Sequence, residues 1–348
     1  MEEIRVISWG LGSMGSGIAK MILNKKGMRI VGAVDLDPNK VGKKLHEILE
    51  IEPNNYNDIV ITEKPEDVIK RDAADIVMIA TSSFTEKVFP MIEIAAKAGI
   101  NIITTAEEMS YPKASKPELA EKIDKLAKEN SVAILGTGIN PGFIMDLYAI
   151  TLTGVCENIE KIQISRINDL SPFGKAVMDE QGIGLSPEEF EKGVREGTIA
   201  GHVGFLESFG MFEEALQIKF TKIEQKKEPI ITNVPRSTKI VSVEPGKVAG
   251  CKQTGYAYLG DKIFIEMSHP QQICPEAESV ETGDFIKIYG TPDIKLQIKP
   301  EIPGGIGTIA ICVNMIPHVL STSPGLKTML DLPLPRVIIG DARNLIKK

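Results

Sequence analysis

The run IRVISWGLGSMG, from Ile4 to Gly15, decides the fold of this chain. A short apolar, β-forming segment leads into three glycines with the spacing G-x-G-x-x-G, and apolar residues then recur at helical intervals as far as Leu23. In this arrangement Gly10 permits a tight turn, Gly12 lets the backbone approach a diphosphate at the start of the helix, and Gly15 lets that helix lie close to the sheet. The pattern predicts a dinucleotide-binding loop made of Gly10, Gly12, Ser13, Met14 and Gly15.

A second apolar segment, Arg29 to Val34, ends in Asp35, which lies 20 residues beyond Gly15. At this position a carboxylate receives the ribose hydroxyls of the adenosine half of the cofactor. The alternative is a glycine-rich turn of another α/β fold with an incidental aspartate. Asp35 repels a 2′-phosphate, which favours NAD, although Lys40 and the lysines that follow it leave NADP open as the cofactor.

The composition is that of a globular protein. The chain has 348 residues, of which 43% are hydrophobic and 25% charged, and this length predicts about two domains. A net charge of −7 argues against binding to nucleic acid, which needs a basic face. The four cysteines show no C-x-x-C pairing, so we expect reduced thiols in a cytoplasmic protein, with neither disulfides nor a zinc site. The first strand begins by residue 4, which leaves no room for a signal peptide, and the apolar run from Ile306 to Val313 is too short to span a bilayer.

Strand and helix signals alternate through the first part of the chain. Helical patterns, one of them beginning at Asp37, separate short apolar segments at residues 59–61, 75–80, 101–104 and 132–135. Strands joined by helices predict βαβ units and a Rossmann-type parallel sheet. From about residue 155 the pattern changes, because Ile159 to Ile167 alternates apolar and polar residues as a half-exposed antiparallel strand does.

These patterns predict an α/β fold with a second α+β domain on a mostly antiparallel sheet. We expect a dinucleotide-binding domain at 1–140 and a substrate-binding and dimerisation domain at 141–303. A C-terminal helical segment at 304–348 is expected to pack back near the first domain.

Ligands of open α/β sheets bind beyond the carboxyl ends of the strands. Thr81 and Ser82 follow one strand, where they would pass close to a nicotinamide ribose or would cap the next helix. Thr105 and Glu108 follow the next strand, which places Glu108 near the expected nicotinamide. The alternative for Glu107 and Glu108 is that they stabilise a helix dipole.

The loop after the last strand of this series contains Asn140. It precedes a helix predicted over 144–153, which Asn140 would cap with Pro141 at the first position while open amides face the cleft. The alternative is a purely structural cap.

The second domain is expected to supply groups that bind the substrate. Arg166 and Asp169 lie at the end of its first strand, and His202 lies between glycines at the start of a helix, with Glu207 about one turn further on. His202 is the strongest of the four histidines as a proton-transfer group, and a satisfied structural histidine is its alternative. His269 is expected in a turn. No spacing suggests metal ligands.

Longer motifs spread over nearly the whole chain are more specific than the glycine fingerprint. They are Trp9–Gly17, Thr104–Met109, Gly136–Phe143, Ser165–Gly174, Gly201–Phe205, His269–Gln272 and Glu301–Thr308. These motifs resemble the 2,4-diaminopentanoate dehydrogenase family. The resemblance implies a dinucleotide domain plus an α+β domain that binds substrate and forms a homodimer, as in the wider family of dihydrodipicolinate reductase and diaminopimelate dehydrogenase. It also implies oxidative deamination of (2R,4S)-2,4-diaminopentanoate at C4, in ornithine fermentation, to 2-amino-4-oxopentanoate, ammonia and reduced NAD or NADP.

The chemistry of the candidate residues agrees with that activity. Oxidation of an amine needs a neutral amino group and a general base whose pKa lies near the working pH, which His202 or a desolvated Glu108 could supply. Candidate groups for the diamino acid are Arg166 or the amides near Asn140 for its carboxylate, and Asp169 or Glu207 for its second ammonium.

Two other interpretations stay open. One is a dehydrogenase or reductase of another amino acid, such as diaminopimelate, dihydrodipicolinate or homoserine; the chain has no adjacent histidines of the kind that dihydrodipicolinate reductases carry. The other is a non-catalytic NAD(H)-sensing protein, which would bind the cofactor without turning over any diamino acid.

Overall fold

The chain divides into two compact units. The structure, a computed structural model, describes residues 2–53 and 58–346. The first unit contains Met1–Phe143, Leu206–Met211 and Gly304–Lys348, and the second contains Ile144–Phe205 and Phe212–Pro303.

The first unit opens with alternating strands and helices. In chain order these are β1 (Ile4–Trp9), α1 (Ser13–Leu23), β2 (Met28–Val34), α2 (Leu45–Leu49), α3 (Pro65–Val68), β3 (Ile76–Ile79), α4 (Thr85–Lys97), β4 (Asn101–Thr104), α5 (Pro117–Glu129) and β5 (Ala133–Gly136). A 3₁₀ turn, Glu107–Ser110, follows β4. Every residue of β3 is buried, as expected of an apolar strand that is covered on both faces.

These strands form a parallel sheet in the order β2-β1-β3-β4-β5. The order reverses between β1 and β3, and in such sheets ligands bind at this switch point, beyond the carboxyl ends of the strands. Ile7, Val77 and Ile102 belong to the buried core of the unit. The predicted Rossmann-type parallel sheet is therefore confirmed.

The strand predicted at residues 59–61 is wrong. Only isolated bridges link Val34 to Thr62 and Lys44 to Val60 in this described segment. The Val60 side chain is 54% exposed, so the segment lies at the edge of the sheet without the burial that stabilises a longer ladder.

The helix predicted at Asp37 is also wrong. The amides of Lys40 and Val41 both donate to the Asp37 carbonyl, which closes a single turn. Gly42 then adopts a φ of 82°, a conformation that ends right-handed helical geometry, and α2 begins only at Leu45.

The second unit combines short helices with long strands. Its elements are α6 (Leu147–Thr153), β6 (Asn158–Asp169), α7 (Lys175–Glu180), α8 (Pro187–Glu196), α9 (Phe205–Leu216), β7 (Lys222–Ile231), β8 (Arg236–Ser237), β9 (Ser242–Val243), β10 (Val248–Leu259), β11 (Lys262–Gln272), β12 (Gly283–Thr291) and β13 (Ile294–Ile298). Residues 206–211 of α9 are grouped with the first unit.

The large sheet of this unit has the order β13-β12-β6-β11-β10-β7. All neighbouring strands are antiparallel except β6 and β11, which run parallel. Along β6 the buried residues Ile162 and Ile164 alternate with half-buried Lys161 and Gln163, because only one face of the strand packs on the core. The prediction of a mostly antiparallel sheet is confirmed.

The chain then completes the first unit with α10 (Gly304–Val319) and β14 (Gly325–Lys327). β14 pairs in parallel with β5 and extends the first sheet. α10 packs closely on α1, because a Cβ at Gly17 would lie 2.2 Å from Ile309 Cδ1. Over residues 2–53 and 58–346, no helix is long and apolar enough to cross a membrane.

Candidate active site

The glycine loop after β1 folds tightly at both ends and is open in the middle. A Cβ at Gly10, whose φ is 89°, would lie 2.5 Å from the Ala80 carbonyl oxygen. A Cβ at Gly15 would lie 1.7 Å from the Gly10 oxygen, whereas one at Gly12 would meet no atom within 4 Å. The loop therefore excludes side chains where it turns and leaves free space above Gly12.

The start of α1 supplies amides that face this space. Gly12 is the N-cap and offers no side-chain oxygen, and the described first turn of this 11-residue helix holds no acidic residue. Amides such as those of Ser13 and Met14 lack intrahelical acceptors, and the positive end of the helix dipole favours an anion beside them. The open space and these amides together fit the diphosphate of a dinucleotide.

Asp35 joins the end of β2 to the loop. The carboxylate is buried, its Oδ2 accepts from the Leu11 amide at 2.6 Å and its Oδ1 accepts from the Asp37 amide at 2.8 Å. Oδ1 keeps a further lone pair for a ribose hydroxyl, whereas Oδ2 also accepts from the Lys40 ammonium. The Lys40 ammonium lies 3.4 Å from Oδ2 and brings a positive charge to the same place.

Glu108 is held by the segment that follows β3. Its Oε2 accepts from the Thr85 amide at 2.7 Å, and its own amide donates to the Ser83 carbonyl at 3.1 Å. Thr85 is the first residue of α4, so the Glu108 carboxylate caps that helix. Glu108 therefore has the helix-stabilising role that the sequence left as the alternative, and its place near the nicotinamide stays a prediction.

Thr81, Ser82 and Thr105 lie beside Glu108 at the carboxyl ends of β3 and β4. The Thr81 hydroxyl is 3.3 Å from the Met91 sulfur, and Ser82 Oγ accepts from the backbone at the start of α4. The Thr105 amide donates to the last carbonyl of β3 at 3.0 Å. The cofactor-binding candidates therefore share one edge of one sheet, although their contact with a cofactor stays a prediction.

The loop with Asn140 differs from the prediction. The helix begins at Leu147, not at residue 144, and its N-cap is Asp146. Gly142 has a φ of 118°, which no helical residue adopts, so Asn140 does not cap a helix. Both polar atoms of its side-chain amide, and the nearby Thr137 Oγ1, are buried without a hydrogen-bond partner among the described residues. Such atoms are available to a ligand.

Arg166 of the second unit is bound to a neighbouring carboxylate. The guanidinium is buried, forms an ion pair with Asp284, and donates to the Ile302 carbonyl at 2.7 Å. Asp284 Oδ2 in turn accepts from the Ile302 amide at 2.9 Å. The charge of Arg166 is therefore already balanced, and its predicted contact with the substrate carboxylate stays a prediction.

His202 and His269 meet in the second unit. The His202 amide donates to Gln253 Oε1 at 2.8 Å, and its Nε2 is buried with no partner among the described atoms. His269 lies within β11, so the predicted turn is wrong. Asn168 Oδ1, on the neighbouring strand β6, is a further buried and unpartnered atom.

Polar residues at buried positions of β6, β10 and β11 were not identified as candidates from the sequence. They are Asn168, Gln253 and Gln271, and they accompany His269, for which the sequence left both a chemical and a structural role open. The alternation of apolar and polar residues along these strands could have identified them. A polar residue at a position that faces the core must form a hydrogen bond with a neighbour or with a ligand.

Asp169 lies at the wall of an open cavity of about 530 Å³ in the second unit. Other walls are formed by Glu276, Glu281, Lys299 and Glu301, so acidic groups predominate. Asp169 Oδ1 accepts from the Ser171 amide at 2.8 Å. The cavity is therefore a place where an ammonium group would be stabilised.

The candidates thus fall into two groups. The first unit holds the glycine loop, Asp35, Thr81, Ser82, Thr105, Glu108, Asn140 and Glu207, and the second unit holds Arg166, Asp169 and His202.

Comparison with known proteins identifies relatives along the whole chain. The model of the 2,4-diaminopentanoate dehydrogenase C-terminal domain matches residues 143–348, and that of the dihydrodipicolinate reductase N-terminus matches residues 4–135. The 2,4-diaminopentanoate dehydrogenase of Acetoanaerobium sticklandii is 51% identical over 349 aligned residues, which cover 100% of this chain and 98% of that protein.

Solved structures share the fold. The amine dehydrogenase from Mycobacterium smegmatis has a TM-score of 0.87 and 25% identity, over 97% of this chain and 98% of that chain. The C. glutamicum DAP dehydrogenase in complex with DAP has a TM-score of 0.50 and 13% identity, over 100% of this chain and 96% of that chain. At that identity the second likeness concerns the fold alone.

The chain has a glycine loop at the switch point of a parallel sheet, and it also contains a unit with a mixed sheet. These features define a Rossmann-type dehydrogenase and imply a nicotinamide cofactor. Within that class the full-length match is specific. The chain belongs to the 2,4-diaminopentanoate dehydrogenase family, as its motifs predict.

Proposed function

We propose that this chain oxidises (2R,4S)-2,4-diaminopentanoate at C4 to give 2-amino-4-oxopentanoate and ammonia, in the cytoplasm and as a step of ornithine fermentation. The observation that carries the proposal is 51% identity over the full length to the A. sticklandii enzyme. The nicotinamide ring, when bound, supplies the oxidant by accepting a hydride from C4.

Glu108 is our candidate for the base that takes a proton from the substrate amine. The amine must be neutral before C4 can lose a hydride, and the hydrogen bond from the Thr85 amide holds the Glu108 carboxylate in one place. For His202, burial lowers the imidazole pKa to about 3, so the ring takes up a proton poorly near neutral pH. We therefore assign His202 a hydrogen-bonding role through its unpartnered Nε2.

Different groups are available for the two ends of the diamino acid. The Asn140 side-chain amide, unpartnered among the described residues, is our candidate for the substrate carboxylate, because Arg166 already balances Asp284. Asp169, at the wall of the acidic cavity, is our candidate for the second ammonium.

For the cofactor we propose a preference for NAD. The buried Asp35 carboxylate disfavours a 2′-phosphate, and the nearby Lys40 limits that repulsion without removing it. NADP is therefore expected as the weaker cofactor.

A turnover assay tests the proposal directly. The absorbance of the reduced cofactor would be followed with 2,4-diaminopentanoate, ornithine, meso-diaminopimelate and a simple amine in parallel. We expect the highest kcat/KM with 2,4-diaminopentanoate. Preference for another substrate would replace that assignment, and cofactor binding without turnover on any of them would indicate an NAD(H)-sensing protein.

We also propose that the protein is a homodimer. One face of the mixed sheet is only half-buried, and on it the Tyr289 hydroxyl donates to Gln163 Oε1 at 2.7 Å. A second copy would cover this face. Light scattering should give twice the chain mass of 37.9 kDa, and a monomer at working concentrations would contradict the proposal.

A further inference from the structure

Glu207 is buried against the segment that follows Glu108. It lies in α9 three residues before Gly210, and residues three apart share one face of a helix. A Cβ at Gly210 would lie 2.5 Å from the Tyr111 ring and 2.9 Å from Ala114 Cβ, so this face of α9 packs tightly on that segment. Only 2% of the Glu207 surface is exposed.

Two buried polar atoms lie near this contact. Glu207 Oε1 and Ser115 Oγ are both buried, and by distance and angle neither forms a hydrogen bond with a described residue, although the Ser115 hydroxyl is near enough to Glu207 to lower the pKa of its carboxyl group. A buried carboxylate without a partner is poorly solvated, which costs free energy. A protonated carboxyl group avoids this cost and has an O–H that can donate a hydrogen bond. The environment therefore favours the protonated form of the Glu207 carboxyl group.

The negative charges near Glu207 also favour its protonated form. Burial is the largest cause that raises the pKa of Glu207 to about 7, and the carboxylates of Glu108 and Glu107 raise it further. The nearby Ser115 hydroxyl and the Glu207 amide lower it, but by less. Near neutral pH the group is thus divided between its acid and base forms.

Other titratable groups on this segment do not cancel the effect. The Lys116 ammonium lies 2.7 Å from Glu86, which balances its charge. Tyr111, which packs against α9, brings an aromatic ring to this contact.

Oxidation of the amine produces a proton that must be stored. The N–H bond of the substrate ammonium breaks, its electron pair stays on nitrogen, and the proton goes to a base. With a nicotinamide cofactor bound, C4 would give up its hydride to that cofactor and the nitrogen lone pair would form the C=N bond. Water would then add to C4 and ammonia would leave. Glu108, once protonated, must pass its proton on before it can act again.

We propose that Glu207 is a positioning residue that acts through Glu108. Glu207 stores the proton that Glu108 takes from the substrate and returns it to Glu108 in the reductive direction. The inference rests on the proposed function, in which Glu108 is the base. The Ser115 hydroxyl, buried beside Glu207, lowers the Glu207 pKa and so helps to set the pH at which the stored proton is released.

The pH profile of kcat/KM for oxidation tests this role. We expect the wild-type value to rise with pH through an inflection near 7, as Glu207 loses its proton. Glu207→Gln keeps the size of the side chain but cannot ionise, so the inflection should vanish and the alkaline plateau should fall by roughly tenfold or more. Glu207→Asp should keep an inflection. Glu214→Gln, at an exposed position of the same helix, is the control and should change neither quantity.

An infrared titration of the substrate-free protein separates this inference from the proposed function. A protonated carboxyl band should disappear between about pH 6 and about pH 8 in the wild type and be missing in Glu207→Gln. If Glu207→Gln is unstable, Ser115→Ala offers a second route, because loss of the hydroxyl should move the inflection to higher pH. A wild-type protein inactive on 2,4-diaminopentanoate but with this band would refute the proposed substrate alone. Unchanged pH profiles in the variants, or a Glu207 already ionised at about pH 6, would overturn the role of Glu207.

Discussion

The imidazole of His202 stands edge-on to that of His269, with ring centroids 4.9 Å apart and planes inclined at 80°. His269 Nδ1 lies 2.8 Å from the Arg166 carbonyl oxygen. Burial lowers the pKa of His202 to about 3 and that of His269 well below its usual value, and the guanidinium of Arg166 adds to both effects. The pair is therefore neutral near pH 7, and it places hydrogen-bonding atoms rather than charge.

The neutral pair should make the fold sensitive to acid. The folded-state pKa of His202 is about 3 and the model-peptide value is 6.5, so the unfolded chain binds the proton first as the pH falls. This contribution to stability is complete above about pH 6.5 and is lost toward about pH 3, at about 1.4 kcal/mol for each unit between the two pKa values.

Urea unfolding at several pH values measures this loss. In His202→Gln/His269→Gln the acid-side decline of the free energy of unfolding should be shallower than in the wild type. An identical decline would show that other groups cause it.

Gly12→Ala should weaken cofactor binding and leave the fold stable. A Cβ at this position meets no atom within 4 Å, so the free energy of unfolding should change by less than about 0.5 kcal/mol. The same methyl would occupy the space proposed for the diphosphate, and we expect Kd for the cofactor to rise about tenfold or more. Gly174→Ala, at an equally open N-cap of α7, is the matched control with unchanged Kd. Unaltered binding in Gly12→Ala would place the nucleotide elsewhere.

Asp35→Asn should shift the cofactor preference toward NADP. The substitution removes the charge that repels a 2′-phosphate, while Lys40 remains beside the site. We expect the ratio of kcat/KM for NADP to that for NAD to rise by about tenfold, equivalent to about 1.4 kcal/mol. Lys40→Met should move the ratio in the opposite direction. A ratio that stays constant in both variants would contradict the predicted position of the ribose.

Arg166→Met should strongly destabilise the fold. It leaves the Asp284 carboxylate buried and unpaired, which costs about 3 to 5 kcal/mol of unfolding free energy. Lys175→Met breaks an exposed pair with Asp179, so we expect a change of less than about 1 kcal/mol in the same urea titration. A loss in Arg166→Met as small as that in Lys175→Met would contradict the stabilising role of the buried pair.

The predictions that succeeded rest on neighbouring residues. The spacing of Gly10, Gly12 and Gly15 and the continuous apolar run of β3 reflect local backbone and burial requirements, so they can be recognised without knowledge of the rest of the chain. The failures at residues 59–61 and at Asp37 occur at the sheet edge, where the length of an element depends on its packing partners.

The sequence by itself determined the parallel sheet with its glycine loop, the mostly antiparallel second sheet and the family, because each follows from periodicity or from motifs of a few residues. Only the tertiary structure decided that Arg166 pairs with Asp284, 118 residues away, and that Glu207 is buried beside the segment after Glu108. The physical reason is that charge balance and pKa depend on burial and on neighbours distant along the chain, and a linear pattern does not contain these distances.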